Sequence, residues 1–439
     1  LSQFHLTGLS LPILAECYPP HMASVETINR ESDFPFEQLQ KRTVKVLALG
    51  QVMGGFGLGA TLSVGALLAA EIIGPELSGL AATLSTLGAA VWAMPLANLA
   101  GRYGRRVALA SGAALAVSGA FLIVFSAAIE NPFTLMLSLF LLGSASAVQL
   151  QARFAATDLP CKRATGRDLS IVVWATTVGA VVGPNMFGPG EWFGALVGMP
   201  ELTGPFAFTV MAQLISTSIF WFGLKPDPLV VAREEAGIQP SRKSVSFKGA
   251  IEVIKQYPLS GYAVMTIALS HMVMVSVMSM TPVHLHSSGS DLVAVGFTIS
   301  MHIAGMYAFA PVFGILSDRI GTVKTVLLGQ VIFLVSLIIS GIGQYDYWLV
   351  FIGLFFLGLG WSAATVSASA LISEVLPTGE RTKVQGFSDT LMNLSGAFGG
   401  AIAGVILVNF TFGGLNAAAL IPVVLIVISS SFSTRWQRK

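Results

Sequence analysis

L-A-G-R-Y-G-R-R at residues 99–106 and G-I-L-S-D-R-I-G at residues 314–321 are two versions of one stretch. G-R-Y-G at 101–104 returns as D-R-I-G at 318–321, an offset of 217 residues, and Pro160 has its counterpart at the same offset in Pro377. Each half of the chain therefore carries a basic turn after its second apolar stretch and a proline-bearing loop after its fourth. Repetition on this scale marks a molecule built from two similar units.

What those units are follows from composition. Of the 439 residues, 54% are hydrophobic and only 10% charged, against about 25% charged in a soluble domain; the mean hydropathy is +0.76. Apolar stretches of about 20 residues, enough to cross a bilayer core of about 30 Å, recur throughout, and twelve can be counted. The expectation is an all-α membrane protein: twelve transmembrane helices in two pseudo-symmetric six-helix halves, with the lipid bilayer as its first partner. The expected division is a tail over 1–43, a first half over 44–223, a polar linker over 224–258, a second half over 259–432 and a tail over 433–439. Within the linker, F-K-G-A-I-E-V-I-K reads as a short amphipathic helix at the membrane surface.

The placement of charge sets the orientation. With both termini cytoplasmic and twelve spans, all 24 Lys and Arg fall on the inside, which is the positive-inside pattern and points to a bacterial inner membrane. A net charge of +2 offers nothing to nucleic acid. Cys17 and Cys161 give no disulfide framework. Residues 1–21 lack the basic region and apolar core of a signal peptide, and Met22 opens M-A-S-V-E-T like a natural start, so residues 1–21 are left out of the fold reading. Nothing marks an enzyme: there is no phosphate loop, nucleophile elbow or acid pair in a polar site. No permanently bound cofactor is expected, and the protein is expected to be a monomer.

Soft-ligand chemistry is concentrated in one place. Seven of the 15 methionines and four of the six histidines lie between Met265 and Met306, on two apolar helices joined by T-P-V-H-L-H-S-S-G-S-D. Residues four apart share a helix face. Met274 and Met278 are such a pair, as are His302 and Met306, with His271 joining the first stripe. Folded about a turn near Ser288, the helices put Met274 and His302 at similar depth. Thioether and imidazole together favour copper, although Met265, Met272, Met280 and Met301, off these stripes, read as apolar filler. His284 and His286 in the turn would face outside and assist capture, with Asp291.

Two further groups stand out. Arg102, Arg105, Arg106, Asp318 and Arg319 occupy the repeated basic turns, far from a midplane site, and are expected to form a conformational latch. Asp389, with Gln385 and Asn393 four residues to either side, makes a polar stripe on an apolar helix. It is a candidate for proton coupling, or a hydrogen bond between helices. Arg153 and Asp158 end the fourth span and can pair with each other or with the loop after helix 2.

G-I-L-S-D-R-I-G resembles the signature loop of the major facilitator superfamily, and G-A-V-V-G-P at 179–184 is similar to its helix 5 motif. The first copy departs from the pattern, with Ala97 and Gly101 where glycine and aspartate usually stand. Within the superfamily, the M-x-x-x-M of Met274 and Met278 followed by the H-x-x-x-M of His302 and Met306 resembles the CcoA-type copper importers. That resemblance implies copper as a transported substrate bound by these four residues. The alternatives are a proton-coupled carrier of a small organic solute, such as a drug, vitamin or metabolite, and a non-transporting membrane sensor.

Overall fold

The computed structural model describes residues 33–73, 80–159, 165–182, 187–238, 246–290 and 292–436. Over these residues the chain is helical throughout. The first half holds α1 (Asp33–Ile72), α2 (Leu80–Tyr103), α3 (Arg105–Ala128), α4 (Pro132–Ala155), α5 (Thr165–Val182), the short α6 (Phe187–Val197) and α7 (Gly204–Gly223). The linker carries α8 (Pro228–Glu235) and α9 (Phe247–Gln256). The second half holds α10 (Pro258–Ser287), α11 (Leu292–Tyr307), α12 (Ala310–Ile320), α13 (Thr322–Ile342), α14 (Tyr347–Val375) and α15 (Thr378–Trp436).

Among the described residues, nine helical segments are long and apolar enough to cross a membrane. One of these, running through α11 and α12, is a single crossing; another, α15, is two. Its helical path breaks at Thr411, where φ is 61°, and the chain turns back. Phe412 lies flat under His284 at the far end of α10, while Ser429 reaches Met265 near that helix's start. Adding α1 and α5 brings the crossings among the described residues to twelve, the number of apolar stretches in the sequence. We call the end bearing the repeated basic turns the basic end.

The repeat is visible in the packing. In the first half α1 packs on α5 and α7, α4 on α2 and α3, and α3 on α7; in the second, α10 packs on both arms of α15, α14 on α11 and α13, and α13 on α15. The halves meet along two seams, α2 with α15 and α5 with α11 and α12. Gly104 and Gly321, 217 residues apart, begin α3 and α13 with φ of 92° and 99°, a backbone region that side chains with a Cβ rarely enter. That explains why this turn, rather than its acid, is what the two copies share. Gly88 and Gly305 have the same offset. A Cβ at Gly88 would meet the Phe140 carbonyl of α4, and one at Gly305 the Phe355 carbonyl of α14. Small residues let backbones approach in each half.

One difference from the sequence expectation and one agreement concern the flanks. α1 begins at Asp33 rather than at Val44, because its early turns have a partner: Gln40 Nε2 donates to Ala156 O and to Asp168 Oδ2, each at 2.7 Å. The amphipathic helix expected in the linker is α9, capped by Ser246 through Gly249 N–H. It buries Ala250 and Val253 and leaves Phe247 and Ile251 exposed. Residues 1–21, Cys161, Asp291, Gly183 and Pro184 lie outside the described residues.

Candidate functional site

At the basic end the halves are clasped by charged groups. Arg105 is 1% exposed and grips Asp158 with Nε and Nη2, at 2.7 and 3.1 Å, while Nη2 also donates to Gln385 Oε1 across the seam. Asp318 on α12 accepts the N–H groups of Gly166 and Arg167 at the first turn of α5, each at 2.8 Å. A carboxylate at a helix N-terminus meets free N–H donors and the positive end of the dipole. Thr157 donates to Ser373 Oγ at 2.8 Å and its carbonyl accepts from Arg381 at 3.0 Å.

The expected latch residues thus divide. Arg105 and Asp318 join the halves. Arg102 and Arg319 are exposed, and Arg106 lies over the Trp221 ring within its own half. The acid missing at Gly101 has no substitute across the seam. Instead Asp227, from the linker, caps α8 and takes the backbone N–H of Arg106 at 2.7 Å, while Arg233 donates to Gly101 O at 2.8 Å. The first copy of the turn is tied to the linker, the second to the opposite half.

One to two turns further in, Arg153 of α4 pairs with Asp389 of α15 at 2.7 Å; the side chains are 2% and 0% exposed. Arg153 Nε and Asp389 Oδ2 have no hydrogen-bond partner. The stripe of Gln385, Asp389 and Asn393 is a ladder: Gln385 meets Arg105, Asp389 meets Arg153, and Asn393 returns to its own helix at Asp389 O. Above it Gly396 makes room for the ring of His271.

His271 is partly buried, and its Nδ1 accepts the indole N–H of Trp361 at 3.1 Å. Tryptophan only donates, so the ring proton of a neutral His271 stands on Nε2. Tyr307 meets Trp361 edge to face, with centroids 5.7 Å apart. Arg153 lies within electrostatic reach of both His271 and Tyr307. Trp361 and Tyr307 escaped the sequence reading because single aromatics in apolar helices look like filler. The available signal was Trp361 standing among small and hydroxyl residues, G-L-G-W-S-A-A-T.

The methionine and histidine residues of the sequence expectation fall in several settings. Met274 and Met306 are buried and, with Met278 against them, belong to the apolar core of the second half. The main neighbours of α10 are α15 and α14, and that of α11 is α14, with a smaller contact between α10 and α11 themselves. His302 is fully buried, its Nδ1–H donating to Leu354 O at 2.8 Å and its Nε2 left without a partner. His271 has the opposite tautomer, its free nitrogen carrying the proton, which suits a donor and not a metal ligand. His284 is taken up in packing: it bonds Gln344 O and stacks on Phe412 at 4.3 Å. His286 is exposed. Counting only His, Cys, Asp and Glu, no group of three among the described residues could hold a metal ion.

Twelve crossings in two repeats, clasped at one end and holding a buried ion pair across the seam, define a membrane transporter. The chain belongs to the Major Facilitator Superfamily, whose family model matches residues 47–308 and 265–437. It is 38% identical over 398 residues to the uncharacterized MFS-type transporter YdeG of Bacillus subtilis (strain 168), covering 88% of this chain and 92% of that one. It is 27% identical over 399 residues to the riboflavin transporter RfnT of Brucella anthropi, covering 88% and 96%. Among solved structures, a bacterial homologue of the iron transporter ferroportin in the outward-facing state superposes with a TM-score of 0.70 at 14% identity, over 90% of this chain and all of that one. The human organic anion transporter MFSD10 gives 0.69 at 14%, over 88% and 99%. At such identity these two likenesses speak for the fold alone.

Proposed function

We propose that the protein is a secondary carrier that moves a small organic solute across the bacterial cytoplasmic membrane by alternating access, as a monomer with its basic end in the cytoplasm. The observation that carries this reading is the buried Arg153–Asp389 pair across the seam, with His271 and Tyr307 within electrostatic reach of Arg153 and Trp361 in contact with both. These groups offer fixed charge, hydrogen bonds and aromatic faces, the equipment of an organic-solute site. The likeness to a riboflavin transporter over most of the chain points the same way. Every inter-half hydrogen bond described above lies towards the basic end, which on this reading is the closed, cytoplasmic face.

One observation favours a second reading, copper import through Met274, Met278, His302 and Met306. The Nδ1–H of His302 is held by a backbone carbonyl and its Nε2 is bare, the arrangement that metal-ligating histidines adopt. Purified protein in vesicles separates the two. Riboflavin and a panel of organic acids are offered in one arm, and cuprous ion under reductant in the other. Uptake of an organic solute that survives Met274→Leu with Met278→Leu supports the first reading. Copper uptake lost in that variant, with no organic solute carried, replaces it with the second. Binding without flux in either arm would make the protein a sensor.

A further inference from the structure

The Arg153–Asp389 pair is both deeply buried and incompletely bonded. A purely structural ion pair in so dry a place is expected to have its remaining donors and acceptors satisfied, yet Arg153 Nε and Asp389 Oδ2 have no partner. The charged and titratable groups within electrostatic reach of the pair are Arg105 from α3, His271 from α10 and Tyr307 from α11. The acid that follows Arg153 five residues later at the end of α4, Asp158, is held by two hydrogen bonds from Arg105. When the halves part at the basic end, Asp389 leaves with α15. Arg153 stays with α4, parted from the one carboxylate that it pairs with among the described residues. Arginine keeps its charge throughout, whereas a carboxylate can take a proton.

We infer that Arg153 is an anion-binding site and Asp389 a proton site, so that the cargo is an organic anion of the aromatic carboxylate class carried together with one proton. This rests on the solute-carrier reading above. In the loaded carrier the acidic group of the cargo takes the place of Asp389 on Arg153. A proton from water at the entry face forms an O–H bond on the Asp389 carboxylate. At the exit face that bond breaks, the proton returns to water, the anion departs and the Arg153–Asp389 pair re-forms. One negative and one positive charge cross together, so the cycle moves no net charge. The empty carrier returns with its own pair closed. The state avoided is the one with both charges dry and bare, and avoiding it couples the two fluxes. Trp361 and Tyr307 supply the aromatic surroundings, and His271 Nε2–H supplies a donor for an acceptor on the ring.

The test uses the full chain in proteoliposomes, with protein-free vesicles subtracted. Radiolabelled benzoate, nicotinate and 4-hydroxybenzoate are the anionic probes and riboflavin the uncharged one. The expected result is that at least one carboxylate accumulates against its gradient when the lumen is alkaline, and that an imposed potassium diffusion potential has no effect. Arg153→Gln should lower that uptake by about a hundredfold or more, since it leaves Asp389 unpaired and removes the anion's partner. Asp389→Asn should still exchange labelled for unlabelled carboxylate across the membrane but lose pH-driven accumulation. The double variant Arg153→Gln, Asp389→Asn leaves no bare charge and controls for folding; it should be folded and lack carboxylate uptake. Uptake of riboflavin without any carboxylate, accumulation driven by potential, or pH-driven accumulation by Asp389→Asn overturns the inference and leaves the carrier reading standing. Failure of every organic probe to cross overturns both.

Discussion

Asp318 holds the first turn of α5 with one oxygen on each of two backbone N–H groups. Replacing it by Asn keeps one acceptor and removes the charge, so the closed basic end should lose about 1–2 kcal/mol relative to the open one, roughly a 5- to 30-fold shift in the equilibrium. The site lies away from the ion pair, so cargo binding in detergent should persist while transport slows. Alkylation of a cysteine placed at Ser373, in protein lacking Cys17 and Cys161, should speed up in Asp318→Asn. An unchanged rate would remove Asp318 from the latch. The sequence located this residue through its repeated turn, and located Asp389 through its polar stripe. It could not locate their partners. Arg153 is 236 positions from Asp389, and a contact across a seam leaves no periodic trace in either strand of sequence. The tautomers of His271 and His302 are set by Trp361 and by the Leu354 carbonyl, and spacing along one helix carries no information about either.

At the scale of elements, the spans and their number were legible because lipid enforces length and apolarity helix by helix. The relation of α10 to α11 was not. A hairpin fixes which helix follows, not which helix is the closest neighbour, and α14 packs against both. That approach depends on Gly305, where a Cβ would stand 2.7 Å from Phe355 O. Gly305→Ala should therefore cost about 1–3 kcal/mol through overpacking and lower the thermal midpoint in detergent. Gly296, on the same helix, has nothing within 4 Å of an added Cβ. Gly296→Ala should be neutral or stabilise by about 0.5–1 kcal/mol, the entropy that glycine loses in a helix. Equal midpoints for the two variants would show that the α11–α14 contact is slack.

Over the whole molecule, the two halves pack on each other along the α2–α15 and α5–α12 seams, and the linker divides its loyalties between them. α8 is fastened to the first half through Asp227 with Arg106 N–H and through Arg233 with Gly101 O. α9 lies on the second half, where Phe247 meets Phe387 edge to face at 5.5 Å. The peptide chain between Glu235 and Ser246 thus connects two pieces that are each already anchored. The covalent join is then dispensable. Fragments 1–240 and 241–439 made separately in one cell should find each other in the bilayer, co-purify and carry cargo, whereas a cut inside α8 should scatter the pieces.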